Sequence, residues 1–291
     1  METKQLGNTG IPVSAIGLGG MPMSLSSRPP EAQSIATIHR ALDLGVTLID
    51  TADSYCKDES DKHHNERLIY KALQEYSQDT SNVMIATKGG LMRPNGDWTR
   101  NGNPDHLRET IHASFEALGG DQPIGLWQYH APDPNYSIEE SLKPAREAVV
   151  NGLIRFVGVS NFSVEQIKRA RDVVEIESVQ NQYNPWNREP ESDGVLEYCD
   201  REGLTFLPWS PLGGSRRFNQ IKEIKAIVQL AQAKGVSVYS IVLAWLRAKS
   251  PSVLPIPGAS KPESIEDSIT AATVKLDQTE VDQIDQAIAT T

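Results

Sequence analysis

The sequence predicts an α/β fold, a single (β/α)8 (TIM) barrel with an N-terminal β-hairpin and a C-terminal helix, filling residues 1–291 as one domain. Three observations lead there. The 291-residue length suits a fold whose members typically run to ~250 residues. Short β-prone apolar runs alternate with helix-period segments along the whole chain, the pattern of a parallel sheet covered by helices. Finally, no linker, low-complexity tract or shift of composition divides the chain.

Residues 3–16 read as two short strands around Gly7-Asn8-Thr9-Gly10, a hairpin signal. A first core strand follows at 15–19; its glycines do not make a dinucleotide fingerprint, because Pro22 stands in the third glycine's place. Ile35, Ile38 and Leu42 have helical spacing and end at Gly45, a C′ glycine. Val46, Leu48 and Ile49 form the next strand, which stops abruptly at Asp50. The alternation then repeats: helix near 65–75, strand 83–87, and a helix opened by Asn103-Pro104, cap then N1 proline. Strand 124–129, helix 137–150 (with Pro144 inside it), strand 155–159, helix 163–174 and strand 178–181 come next. Helix 193–202, strand 204–208, helices 219–234 and 237–248, and strand 252–256 complete eight core strands, and a last helix covers 279–289.

Composition narrows the function. Lys and Arg number 28 against 38 Asp and Glu, a net charge of −10, so a face that grips nucleic acid is not expected. Cys56 and Cys199 form no CxxC and show no metal-ligand spacing, so neither a disulfide framework nor a metal site is expected. The amino terminus carries no basic segment followed by an apolar one, and no apolar run nears the ~20 residues of a membrane span. The expectation is a soluble, cytoplasmic monomer or weak homo-oligomer with no membrane partner.

In a barrel the carboxyl ends of all eight strands meet at one mouth, where the chemistry sits. Those ends carry Asp50 and Tyr55, then Lys88, then His130, on consecutive strands. Singly each has an ordinary explanation: packing for the tyrosine, a cap or ion pair for the aspartate, a satisfied core position for the histidine. Together they set a cation, Lys88, where it can hold the Asp50 carboxylate and lower the proton affinity of Tyr55, with His130 as a second polar group at the reacting centre. A Schiff-base aldolase using Lys88 is one enzyme reading, disfavoured because a paired Asp50 keeps that lysine protonated.

The segments GVTLIDTADSY, IATKGG, LWQYHAPD, IRFVGVSNF, VQNQYN, PWSPLGG and LPIPGASKPE stand in the order and spacing by which the sequence resembles the aldo-keto reductases. VQNQYNPWNR is most similar to the pyridoxal-reductase-like branch of bacteria and plants. The resemblance implies an NADPH-dependent reductase of aldehydes and ketones, with a small-molecule carbonyl substrate and NADH as the alternative cofactor. It makes Tyr55, with an ordinary pKa near 10, the proton donor, Lys88 the cation that favours its phenolate, Asp50 the partner that holds Lys88, and His130 the group that hydrogen-bonds the carbonyl oxygen. It places the cofactor on Gly20, Met21 and Asp50, the carboxamide on Ser160, Asn161 and Gln182, and the ring on Trp209. It puts the pyrophosphate on Ser210, Pro211, Leu212 and Gly213, and the adenosine end on Ile256, Gly258, Ser260, Lys261, Ser264, Asp267 and Ser268. Many relatives carry Arg where Ser264 stands, and commonly Asn where Ser268 stands, so a planar phosphate clamp is missing. Met21, Met23, Tyr55, Trp98, His130, Trp127 and Trp186 are candidate walls of the substrate pocket, although any of them could be core and Trp127, on a strand, is better suited to the core. Cys56 beside Tyr55 raises the question of redox sensitivity. The reading from another class is a non-catalytic nicotinamide-binding barrel serving as a redox sensor or auxiliary subunit.

Overall fold

The computed structural model describes residues 1–289. Strands Thr3–Gln5 and Pro12–Ser14 pair antiparallel as the N-terminal hairpin. Seven parallel strands follow: β1 (Leu18–Gly19), β2 (Leu48–Asp50), β3 (Met84–Gly89), β4 (Ile124–Tyr129), β5 (Ile154–Ser160), β6 (Ile176–Gln180) and β7 (Thr205–Phe206), each bonded to its neighbour in chain order.

The eighth position is filled, but not by the regular strand expected at 252–256. Leu254 donates its N–H to Phe206 on one side, while Gly17 and Gly19 donate to the carbonyls of Pro255 and Pro257 on the other. The prolines cannot donate back, so the ladder is half made. It still closes the barrel through the bridges Phe206–Val253 and Gly19–Gly258. A side chain at Gly19 would meet the Ile256 carbonyl at 2.8 Å, so glycine is what lets the two ends of the sheet touch.

The covering helices are α1 (Glu31–Asp43), α2 (His64–Glu75), α3 (Pro104–Ala117), α4 (Ile138–Val150), α5 (Val164–Arg171), α6 (Val195–Glu202), α7 (Lys225–Lys234), α8 (Val238–Lys249), α9 (Pro262–Thr270) and α10 (Gln278–Ala289). Local chemistry fixes their starts. Asn103 caps α3 by accepting from Asp105, and Ser137 and Ser163 open α4 and α5 with reciprocal capping boxes. Pro144 is accommodated inside α4. Helix α5 is shorter than the periodicity predicts, and the stretch 219–234 splits into a 3₁₀ segment, Phe218–Glu223, and α7. A small hairpin absent from the sequence-based expectation, Leu91–Met92 with Thr99–Arg100, rises directly from β3 at the mouth. No single helix among the described residues is long and apolar enough to cross a membrane.

Strand alternation divides the two faces. Outward, Ile49 packs with Leu18, Ile38 and Leu68, while Trp127, Val157 and Val179 join the main core beneath the helices. Inward, the floor is apolar: Leu48, Ala86, Leu126, Leu207 and Leu254 close on Leu6 and Val13 of the hairpin plug. One step further along each strand the inward residues turn polar, giving Asp50, Lys88, Gln128, Ser178 and Gln180, all buried. The apolar floor excludes water from beneath these groups, and the mouth opens above them.

Candidate active site

Lys88 is the centre of the cluster. Its ammonium lies 2.8 Å from Asp50 Oδ1 and 2.9 Å from Oδ2, and it donates to the Thr51 carbonyl at 2.7 Å and to the Tyr55 hydroxyl at 3.0 Å. Gln180 reaches across the barrel and donates to Asp50 Oδ1 at 2.9 Å. The His130 ring stands edge-on to the Tyr55 ring, 5.9 Å between centroids. Thus the structure brings Asp50, Tyr55, Lys88 and His130 together as the sequence predicts, at the end of the apolar floor.

Burial lowers the proton affinity of Lys88, but the Asp50 carboxylate and Tyr55 outweigh it and the net shift is upward. This favours the ammonium form of Lys88 and weighs against the Schiff-base alternative. For Tyr55 burial raises the pKa and Lys88 opposes it; burial wins, contrary to the expected net lowering. The phenol is held protonated beside a cation that stabilises the phenolate once the proton leaves. His130 is pushed well below the usual imidazole value, by burial first and by Lys88 second. This favours the neutral imidazole, with Nδ1 buried and without a partner among the described residues.

The groups around this cluster fit a nicotinamide cofactor by their chemistry. Ser160 is buried at the end of β5, and Asn161, with φ 62°, lies beside Trp209, a flat apolar face at the mouth. Gln180, not Gln182, joins the interior. Gln182 lies past the strand end, accepts from Asn187 at 3.3 Å, and lines a polar cleft of about 330 Å³ on the outer side of Trp209. Alternation does not choose between them, since both are in phase with Ser178; the end of β6 at Gln180 does. Ser210 has φ 48° and its carbonyl accepts from Asn184 at 3.0 Å, while Pro211 is buried and Leu212 packs on the core. Gly213 sits so close to Trp186 that a Cβ would meet the indole at 2.5 Å, so glycine is what lets the turn pack against this half-buried ring.

At the adenosine end several of the expected side chains have partners within the fold. The Ile256 side chain belongs to the barrel floor. Asp267 accepts from Ser237 at 2.7 Å and Ser240 at 3.4 Å, where it secures the start of α8. Ser268 donates to the Ser264 carbonyl at 2.9 Å. Lys261 is exposed at the start of α9, beside half-buried Ser260 and Ser264. Gly20 and Met21 lie where β1 ends; Gly20 donates to the Asp50 carbonyl at 2.8 Å. Of the candidate pocket walls, Met23 and Trp127 are buried in the core, and Trp98 stands 45 % exposed on the extra hairpin with the Arg93 guanidinium 4.0 Å above its ring. Cys56 is fully buried, its thiol pushed up to about 12 by burial first and Glu59 second, so it is protonated and unreactive.

Behind Tyr55 lies a second buried carboxylate. Asp53 faces Lys62 at 3.3 Å, and Glu66 accepts from Thr87 at 2.5 Å and contacts His63 at 2.6 Å. Burial, aided by Glu66 and opposed by Lys62 and His63, pushes Asp53 up from 3.8 to about 6. An acid raised in the folded state costs stability as pH climbs through that interval, because the native state holds the proton more tightly than the unfolded one. Asp53→Asn is therefore expected to raise the melting temperature by several degrees at about pH 7.5 and to leave it nearly unchanged at about pH 4. Thermal unfolding at the two pH values checks this, and an equal shift at both would show that the carboxylate's charge is not the cause.

Comparison with known proteins agrees with the barrel fold. The model of the Aldo/keto reductase family matches residues 15–289. An uncharacterized oxidoreductase of Schizosaccharomyces pombe is 36% identical over 270 residues, 91% of this chain and 83% of that protein. Among solved structures, the thermostable aldo-keto reductase Tm1743, in complex with the inhibitor epalrestat, superposes with a TM-score of 0.84 at 30% identity, covering 99% of this chain and 100% of that one. The glycerol dehydrogenase AKR11B4 from Gluconobacter oxydans gives a TM-score of 0.86 at 27% identity, covering 99% and 95%.

Proposed function

The chain belongs to the Aldo/keto reductase family, and we propose that it reduces aldehydes and ketones to alcohols, with NADPH as the preferred cofactor. The observation that carries this is Lys88 bonded at once to Asp50 and to Tyr55 under the mouth of the barrel. The cofactor, when bound, supplies the hydride. Tyr55 gives its phenolic proton to the carbonyl oxygen, and Lys88 stabilises the phenolate left behind. Asp50 and Gln180 keep Lys88 charged and in place. Neutral His130 donates a hydrogen bond to the same oxygen and fixes the carbonyl's orientation as negative charge develops. The apolar floor keeps water from competing for that proton.

Ser160, Asn161 and Gln180 offer the donors and acceptors that a carboxamide needs, and Trp209 offers the stacking face. Lys261, Ser260, Ser264 and the start of α9 are the groups left for a 2′-phosphate. Ser264→Arg restores a planar clamp at that point and is expected to tighten NADPH about tenfold, with NADH nearly unchanged. Equal effects on both cofactors would move the phosphate elsewhere. The function itself is tested by parallel titrations with NADPH and NADH, followed by turnover of 4-nitrobenzaldehyde and pyridoxal with the tighter cofactor. Binding with multiple turnovers supports the reductase; binding without turnover supports a sensor or auxiliary role; no binding of either rejects both.

A further inference from the structure

Trp209 does more in this structure than present a ring. Its indole N–H donates to Asn161 Oδ1 at 3.0 Å. The Asn161 amide nitrogen in turn donates to the His130 carbonyl at 2.9 Å and to Ser160 Oγ at 3.1 Å. Both ends of this link are held hard. Asn161 has φ 62°, a conformation uncommon for a side-chain-bearing residue, and its N–H is tied to the Gln180 carbonyl at 3.0 Å. Trp209 donates its backbone N–H to the Asn181 carbonyl at 3.1 Å, and Ser210, next to it, is likewise left-handed with its carbonyl on Asn184.

The bonds fix which way the Asn161 amide faces. Turned over, its nitrogen would confront the indole N–H, donor against donor, and its oxygen would confront the His130 carbonyl, acceptor against acceptor. In the observed orientation both amide hydrogens are committed and one oxygen lone pair is taken by Trp209. What Asn161 has left is an acceptor, and a ligand group meeting it must be an N–H or O–H donor.

We propose that Trp209 is a positioning residue whose indole N–H locks Asn161 as an acceptor, so that the site selects a cofactor bearing a carboxamide NH2. A phenyl ring at the same place keeps the stacking face and loses the lock. This rests on the nicotinamide reading above, and it goes beyond stacking to a specificity set by one hydrogen bond.

The test compares NADPH with its reduced 3-acetylpyridine analogue, whose methyl ketone has no N–H. Dissociation constants are read from the cofactor's own emission in wild type and in Trp209→Phe. Wild type is expected to prefer NADPH about tenfold, and Trp209→Phe to narrow that preference to about twofold while weakening NADPH about fivefold. Trp209→Phe and Asn161→Ala are expected to be non-additive, the double variant resembling the worse single one. An unchanged preference in Trp209→Phe, or strict additivity, overturns the proposal. A second measurement needs no cofactor and no change at Trp209. In protein labelled with 15N at tryptophan, the Trp209 indole resonance is expected to move in Asn161→Ala. If it does not move, the lock does not exist in solution. If the resonance moves but wild type binds neither cofactor, the lock stands and the nicotinamide reading falls, taking the selectivity with it.

Discussion

Tyr55→Phe is expected to lower kcat by about 10²–10⁴-fold, the range a positioned proton donor contributes, with cofactor affinity nearly intact. The reasoning is geometric. The change removes one oxygen, the one that Lys88 bonds at 3.0 Å, and keeps the ring that stands edge-on to His130. Stability should move little, because Lys88 retains Asp50 and the Thr51 carbonyl. Because burial holds the Tyr55 phenol protonated and its pKa raised, the wild-type rate should not fall through the neutral range from loss of that proton. Neutral His130 adds no titration near the ordinary imidazole value, since its own pKa lies well below it. The measurement is single-turnover reduction of an aldehyde by the variant preloaded with cofactor. Reduction at more than about a tenth of the wild-type rate would assign the proton to another donor.

The fold was legible because each strand's inward and outward faces demand different residues. Leu48 and Asp50, or Ala86 and Lys88, are two apart and share the inward face, so an apolar run ending in a charge marks both a core strand and the mouth. Helix starts were equally plain where Asn103, Ser137 and Ser163 supply caps. The closing segment misled because Pro255 and Pro257 carry apolar bulk in the right places yet cannot donate, so the run reads as a strand and bonds as half of one. The hairpin at Leu91–Arg100 escaped because its pairs are two residues long, too short for alternation to register.

The site was legible for the same reason in part. Asp50, Lys88 and His130 end their strands, and strand ends converge whatever the loops do. Gln180 and Gln182 have the same period-two phase, so neither motif likeness nor alternation separates them; the strand ends at Gln180, which reaches Asp50, while Gln182 lies beyond it and accepts from Asn187. The adenosine end depends on which side chains of one helix remain uncommitted. That is decided by tertiary partners, Ser237 for Asp267 and the Ser264 carbonyl for Ser268, about which neighbouring sequence says nothing. The indole bond of Trp209 to Asn161 spans two loops and has no local signature at all.

Lys88→Met carries the second large effect, on two quantities that separate. Removing the ammonium leaves Asp50 buried with Gln180 as its donor, and breaking a buried pair from one side costs about 3–5 kcal/mol. At a few degrees per kcal/mol for a domain of this size, the melting temperature should fall by roughly 10 °C. Lys88 has its native pKa raised above the ordinary 10.5, so its contribution is complete below that value and is lost only as pH rises above it. The contribution lost with Lys88 itself should therefore be the same at about pH 6 and pH 9, and any relief of the deficit toward pH 6 reports protonation of the stranded Asp50. Turnover should also fall, by about 10²–10³-fold, because the phenolate of Tyr55 no longer has a cation beside it. Adding Asp50→Asn to Lys88→Met removes the stranded charge and should restore most of the lost stability, since replacing both partners of a buried pair is near neutral. It should restore none of the turnover. Recovery of both together would mean that Lys88 acts on the reaction only by holding the barrel, whereas recovery of stability alone places its charge at the proton of Tyr55.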